Sequence, residues 1–147
     1  MMDTLTSHLI EVECGKLALL YAKYSDSGDH AALASLFAED AAYIRPFQAD
    51  DPVSGREAIH AMFRDRPPTL VRHIVTNVLV EVIDEHRARG TNYLTVLSSD
   101  GGTQPPQASS ALYVGECEDE YVKTGDGWKF ARRAGMIALH IGGRLPG

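Results

Sequence analysis

The chain has 147 residues, 44% of them hydrophobic and 23% charged, which suits one domain around a single core. Its formal net charge of -6 leaves no basic surface to neutralise phosphates, so nucleic acid and anionic membrane are excluded as expected partners. Two cysteines, Cys14 and Cys117, stand far apart with no CxxC spacing, which excludes a disulfide framework and a cysteine-based zinc site.

The N-terminal stretch MMDTLTSHLIEVECGK lacks a basic start followed by an apolar run, and no later segment reaches transmembrane length. The expectation is a cytoplasmic protein with one domain over residues 1–147. From Ser7 to Tyr24 the apolar residues Ile10, Cys14, Leu17, Leu20, Tyr21 and Tyr24 follow a helical period. The turn SDSGD stops this helix, and Asp29 is placed to cap the next by accepting from its first free N–H groups. There Leu33, Leu36 and Phe37 form an i, i+3, i+4 stripe. A strand is predicted over Ala41–Phe47, and QADDPVSG reads as loop by composition.

Ser54-Gly55-Arg56-Glu57 has the spacing of a capping box, and Ile59, Met62 and Phe63 continue a third helix that Arg66-Pro67-Pro68 ends. Beyond residue 71 the chain turns to strand. HIVTNVLVEVID, GTNYLTVLSS, SALYVGECEDEYVK and WKFARRAGMIALHI read as four long strands, with SDGGTQPPQAS as a loop and TGDG as a hairpin turn. Helices first and antiparallel strands last make an α+β domain: three N-terminal helices packed on a curved, mostly antiparallel sheet. A sheet apolar on both faces needs cover on both, and three helices cover one. The other face is expected to meet a second subunit, giving a homo-oligomer, dimer or trimer.

Tyr21, Asp26, Tyr43 and Arg45 are threaded through the first third at positions that can share one pocket. Converging polar and ionisable groups are what cofactor-free acid–base chemistry needs. No Gly-rich phosphate loop, nucleotide fingerprint or GxSxG elbow is present, and Ser25 and Ser27 have no base arranged as in a triad. His8, His30, His60, His86 and His140 stand on different elements in no HxH or HExxH spacing, so neither a metal nor another cofactor is expected.

The segments YAKYSDSGDHAALASLFAEDAAYIRPF, SGREAI, VRHIVTNVLVEV and YVKTGDGWKFARR, in this order and spacing, resemble the SnoaL-like group of the nuclear transport factor 2 superfamily over about residues 10–135. The resemblance implies a cone-shaped α+β barrel, with a curved sheet wrapped around a long helix and a pocket. It does not imply one activity, because similar folds serve as polyketide cyclases, steroid isomerases, scytalone dehydratase, epoxide hydrolases, binding modules and dioxygenase β subunits.

Within that frame Asp26 falls where scytalone dehydratase has a functional aspartate, and His73 matches a histidine of scytalone dehydratase and several SnoaL-like proteins. Asp26 lies at the C-terminal end of a helix, where the dipole disfavours negative charge, or it is a turn residue bonded to nearby N–H groups. Histidine exchanges protons near neutral pH, and alternation puts His73 on one face with Val75, Asn77 and Leu79. A buried histidine satisfied by a carbonyl or carboxylate is the plainer reading. Asp26 and His73 form the best available dyad. Tyr21 matches the steroid isomerase tyrosine that donates to a developing oxyanion, or is a core aromatic of an amphipathic helix.

Arg45 stands where the steroid isomerase has its base and scytalone dehydratase a tyrosine. An arginine stays protonated, so isomerisation by that mechanism is not expected. It could bind a substrate carboxylate, pair with Asp26 or Asp119, or reach solvent. In Glu116-Cys117-Glu118-Asp119-Glu120 the three glutamates share a solvated face. Cys117, Asp119 and Tyr121 share the other, and the resemblance puts an oxyanion-hole acid near Asp119. A plain ion pair of Asp119 with Arg45 or Arg72 is the alternative.

The expectation is an acid–base lyase, isomerase or cyclase for a small hydrophobic molecule. Asp26, His73 and Asp119 are its catalytic candidates, and Tyr21, Tyr43, Arg45 and Cys117 its substrate-binding candidates. A ligand-binding or dioxygenase β-subunit module is one alternative. An epoxide hydrolase using Asp26, Arg45 and Asp119 is another.

Overall fold

The first helix, α1, runs Thr4–Ser27, three residues longer at each end than the apolar period alone marks. Asp3 supplies the extra turn at the start by accepting from the Thr6 N–H at 2.9 Å. Gly28 ends the helix at φ 72, a left-handed conformation that glycine adopts without Cβ strain. The computed structural model describes residues 1–142. Helix α2 (His30–Ser35) is capped as expected, Asp29 accepting from the Ala32 N–H at 3.0 Å.

Strand β1 (Phe37–Arg45) is followed not by a loop but by β2 (Gln48–Ser54), which pairs antiparallel with it at Ala42–Ser54 and Tyr43–Val53. β2 forms one edge of the sheet and is largely exposed, so its acidic residues and Pro52 are tolerated there. The expected capping box is not formed. Ser54 is still paired within β2, so α3 (Arg56–Arg64) starts one residue later, with Gly55 at its N-cap, φ 93 and no side-chain cap bond.

Strands β3 (Leu70–Val82), β4 (Arg87–Gly101), β5 (Gln107–Thr124) and β6 (Gly127–Ile141) complete one six-stranded sheet. Its order is β2-β1-β6-β5-β4-β3, antiparallel except where β1 meets β6. β4 and β5 extend into the expected loop and leave only residues 102–106 between them. The α+β expectation holds, with the helices on the inner face of a curved sheet. Cys14, Leu17 and Tyr21 of α1 join Leu33, Phe37, Ile59, Tyr121 and Phe130 in the main core. Gly15 lets α1 lie close on β3, since a Cβ there would already touch Val78 at 3.4 Å. Leu94, Val96 and Cys117 form a second apolar cluster with Val71, Val75 and Tyr113.

Two bulges decide which residues face inward. In β3 the register shifts between Thr76–Tyr93 and Leu79–Thr91, and Asn77 takes φ 53. Strict alternation would keep Asn77 and Leu79 on the face of His73. The extra residue reverses the order, so Val78, Val80 and Val82 continue the inner face while Leu79 is 71% exposed outside. In β6 the register shifts between Tyr121–Phe130 and Glu120–Arg132, so Phe130 and Arg133 point inward and Arg132 outward. The outer face carries exposed apolar side chains at Ile74, Leu79, Tyr93, Met136, Leu139 and Ile141. No helix among the described residues is long and apolar enough to cross a membrane.

Candidate active site

Asp26 lies in the last turn of α1, beside the sheet edge formed by β3. An edge strand has amide hydrogens with no strand partner. The His73 N–H is one of them, and it donates to both Asp26 oxygens, at 3.0 and 3.2 Å. The imidazole closes on the same carboxylate, Nδ1 to Oδ1 at 2.6 Å. Three hydrogen bonds from one residue therefore hold Asp26 where the helix dipole alone would disfavour its charge. With the proton on Nδ1, the ring keeps a lone pair on Nε2, the state of a base oriented by a carboxylate. The side chains are 13% and 16% exposed, enough contact with solvent for protons to exchange.

Tyr21, one turn before Asp26 on α1, sets its ring edge-on to His73 with centroids 6.4 Å apart. Its hydroxyl meets that of Tyr43 on β1 at 2.9 Å. One hydroxyl hydrogen is used between the two oxygens, which leaves the other for a further acceptor. Burial, with Tyr43 adding to it, pushes the Tyr21 phenol well above its ordinary value, so it stays a neutral donor.

Behind Tyr21 is Arg133, its guanidinium carbon 4.4 Å from the Tyr21 ring centre. It was not among the expected site residues. Directly opposite on β5, Asp119 accepts from Arg133 Nη1 at 2.6 Å through Oδ2. The same oxygen accepts from Asn92 Nδ2 at 2.8 Å and from the Tyr121 hydroxyl at 3.3 Å, while Arg133 Nη2 reaches Asn92 Oδ1 at 3.3 Å. The Asp119 and Arg133 side chains are 0% and 1% exposed. Burial pushes the Asp119 carboxyl up, against the opposing pull of Arg133 and the hydrogen bonds from Asn92, Arg133 and Tyr121. Burial alone would lower Arg133, but Asp119 together with Cys117, Tyr21 and Tyr121 outweighs it and holds the guanidinium above its ordinary value.

The structure thus brings together Tyr21, Asp26, Tyr43 and His73, and joins Asp119 to them through Arg133. It does not bring in Arg45, whose side chain turns to Asp51 across the β1–β2 turn, bonding its carboxylate and its carbonyl oxygen. The anticipated pairs of Arg45 with Asp26 or Asp119 are therefore not formed, and the Asp26, Arg45 and Asp119 set does not assemble. The ion-pair partner expected for Asp119 is Arg133 rather than Arg45 or Arg72. Cys117 lies on the inner face with Leu94 and Val96, and burial raises its thiol pKa, so it contributes an apolar wall.

A signal for Asn92 was present, because it alternates with Leu94 and Val96 on an otherwise apolar inner face. Arg133 gave none, since unbroken alternation from Trp128 and Phe130 would have turned Arg132 inward. Two surface clefts, about 530 Å³ on the outer sheet face and about 310 Å³ beside α2 and α3, include neither Asp26 nor His73.

A family model described as a SnoaL-like domain matches residues 7–134. No curated protein matches the chain in sequence. Among solved structures, the chain is similar to a candidate scytalone dehydratase from Novosphingobium aromaticivorans, with a TM-score of 0.82 and 18% identity over 98% of this chain and 94% of that one. It is also similar to a type 2 hexachlorocyclohexane dehydrochlorinase, with a TM-score of 0.76 and 17% identity over 94% and 91% of the two chains. A candidate aromatic ring hydroxylase from Novosphingobium aromaticivorans matches with a TM-score of 0.75 and 20% identity over 94% and 93%. Identities this low carry the fold and no further.

Proposed function

The chain belongs to the SnoaL-like domain family, and within it we propose an enzyme that removes a proton from carbon in a small hydrophobic molecule, as a lyase, isomerase or cyclase does. The observation that carries this reading is the 2.6 Å contact between His73 Nδ1 and Asp26, at a partly exposed position beside apolar Val71, Val75, Leu94 and Val96. His73 Nε2 takes the proton from a carbon next to a carbonyl or a leaving group. Asp26 holds the ring in the required tautomer and stabilises the imidazolium that forms.

The electron pair left on carbon forms a new C=C bond, and the pair it displaces goes either onto the carbonyl oxygen, as an enolate, or out with a leaving group from the adjacent carbon. Negative charge develops on an oxygen or leaving atom in both cases. The free hydroxyl hydrogen of the Tyr21–Tyr43 pair is placed to donate to it, and the protonated Arg133 behind Tyr21 makes the local potential positive. Arg133, rather than Arg45, supplies this positive charge, because Arg45 is turned to Asp51. Dehydration and dehydrochlorination, the reactions in the names of two structural relatives, are both eliminations of this kind, which supports the reading.

The test is turnover of small carbonyl, alcohol and alkyl-halide compounds, followed for a compound that the wild-type chain converts. His73→Ala and Asp26→Asn are each expected to slow it by about 10²–10⁴-fold, with the circular dichroism spectrum unchanged. Unchanged turnover in both variants overturns the proposal.

A further inference from the structure

The inner face carries polar groups beyond His73 that the proton-transfer site leaves unused. His73 opposes Val96 on β4, and Val96 opposes Tyr113 on β5, so the three side chains stand in one row on the same face. His73 and Tyr113 flank Val96 two strand spacings apart, about 10 Å between their Cα atoms. Val96 is buried, while His73 and Tyr113 each keep some contact with solvent. The row is therefore an apolar floor one ring wide with a polar group at each end.

Tyr113 is set edge-on against Phe47 with ring centroids 5.3 Å apart, and among the described residues its hydroxyl has no hydrogen-bond partner. Burial pushes this phenol up to about 12, so it stays a neutral donor. Arg66 pulls against that burial, which puts its charge at the Tyr113 end of the row. The Arg66 guanidinium carbon lies 4.8 Å from the centre of the Phe63 ring, whose own centre is 5.4 Å from that of Tyr43. The polar side chain that Arg66 contacts among the described residues is Met62, through its sulfur at 3.7 Å, so no described carboxylate neutralises it. Two other guanidiniums are already committed, Arg133 to Asp119 and Arg45 to Asp51.

We propose that Arg66 and Tyr113 bind a carboxylate of the substrate, which makes the substrates small ring acids whose reacting carbon lies one ring away from the carboxylate. This rests on the reading of His73 as the base. A guanidinium fork matches the two oxygens of a carboxylate in one plane, and the phenol adds a third donor. With the carboxylate at that end and the ring over Val96, the carbon that loses its proton is delivered to His73 Nε2. Charge then develops on the Tyr21 side of His73, so the bound carboxylate and the developing anion are served by different donors. Binding energy gained far from the reacting carbon goes into orienting it.

The test is isothermal titration calorimetry of the full chain with para-acetylbenzoate, whose carboxylate stands across one ring from an enolisable carbonyl, and with the neutral para-acetylbenzamide. Wild type is expected to bind the acid about tenfold or more tighter than the amide. Arg66→Gln and Tyr113→Phe are each expected to remove most of that preference while leaving the affinity for the amide within about twofold. Arg66 is exposed and Tyr113→Phe deletes only an unpartnered hydroxyl, so both variants are expected to fold as wild type, with unchanged circular dichroism. His73→Ala is expected to keep the preference for the acid. If His73→Ala leaves turnover unchanged while Arg66→Gln still loses the acid preference, the base assignment fails and the carboxylate site stands. Equal affinities for acid and amide in wild type, no binding of the acid at millimolar concentration, or a preference that survives either Arg66→Gln or Tyr113→Phe overturns the proposal.

Discussion

The inner face of this molecule holds two pairs of a carboxylate with a nitrogen-bearing side chain, and they are built differently. Asp26 and His73 meet at the sheet edge with side chains still 16% and 13% exposed, and imidazole can gain and lose a proton near neutral pH. Asp119 and Arg133 meet at the centre of the sheet with 0% and 1% exposed, and a guanidinium does not give up its proton. The first pair is suited to moving protons. The second is suited to holding a fixed charge and aiming it. Two aspartates of similar standing in the sequence are separated by the partner each receives and by the depth at which it receives it.

Breaking the deep pair is expected to have the largest effect on folding. Arg133→Met leaves Asp119 buried without its cation and is expected to cost about 3–5 kcal/mol in urea unfolding. A loss below about 1 kcal/mol would show that the pair is not structurally required. Breaking the edge pair is expected to do the reverse. Asp26→Asn is expected to lose about 10²–10⁴-fold in turnover while unfolding within about 1 kcal/mol of wild type. If Asp26→Asn unfolds the protein as strongly as Arg133→Met does, the contrast between the two pairs fails.

Gly90 tests the support of the deep pair. A Cβ at Gly90 would come within 2.7 Å of the Leu79 carbonyl oxygen and 3.1 Å of the Tyr121 hydroxyl that bonds Asp119. Gly90→Ala is expected to cost about 1–3 kcal/mol in the same unfolding measurement. Tyr43→Phe removes the hydroxyl shared with Tyr21 and is expected to cost about 1 kcal/mol, with a further loss in turnover if that pair donates to substrate.

The last effect is absent at neutral pH and emerges only under alkaline conditions. Burial pushes the Cys14 thiol from 9.0 up to about 12. The folded chain then keeps a proton that the unfolded chain releases. The associated stability is fully present below pH 9.0 and is lost as pH rises toward about 12. Thermal unfolding from neutral to strongly alkaline pH should show this decline, and Cys14→Ala should make it shallower.

Much of the frame was legible in the residues. The apolar period of α1, the Asp29 cap, the TGDG turn and the opposite faces of Glu118 and Asp119 all appear where local rules put them. Asp26 and His73 were legible as a pair only through the family resemblance, because 47 positions of chain separate them. β2 was missed because an exposed edge strand needs no apolar pattern. Nothing local in the sequence marks Asp51 as the partner of Arg45.

The sequence by itself determined the helices, the strand count beyond residue 71 and the two-faced sheet, since these follow from periodicity and capping within a few residues of chain. Only the tertiary structure decided which polar residues face inward. One extra residue at Asn77 and another before Arg132 each reverse a strand's faces. A side-chain period of two turns any such insertion into an exchange of inside for outside. That exchange put Leu79 on the open face, Arg133 against Tyr21 and Asp119, and Arg132 on the outer face.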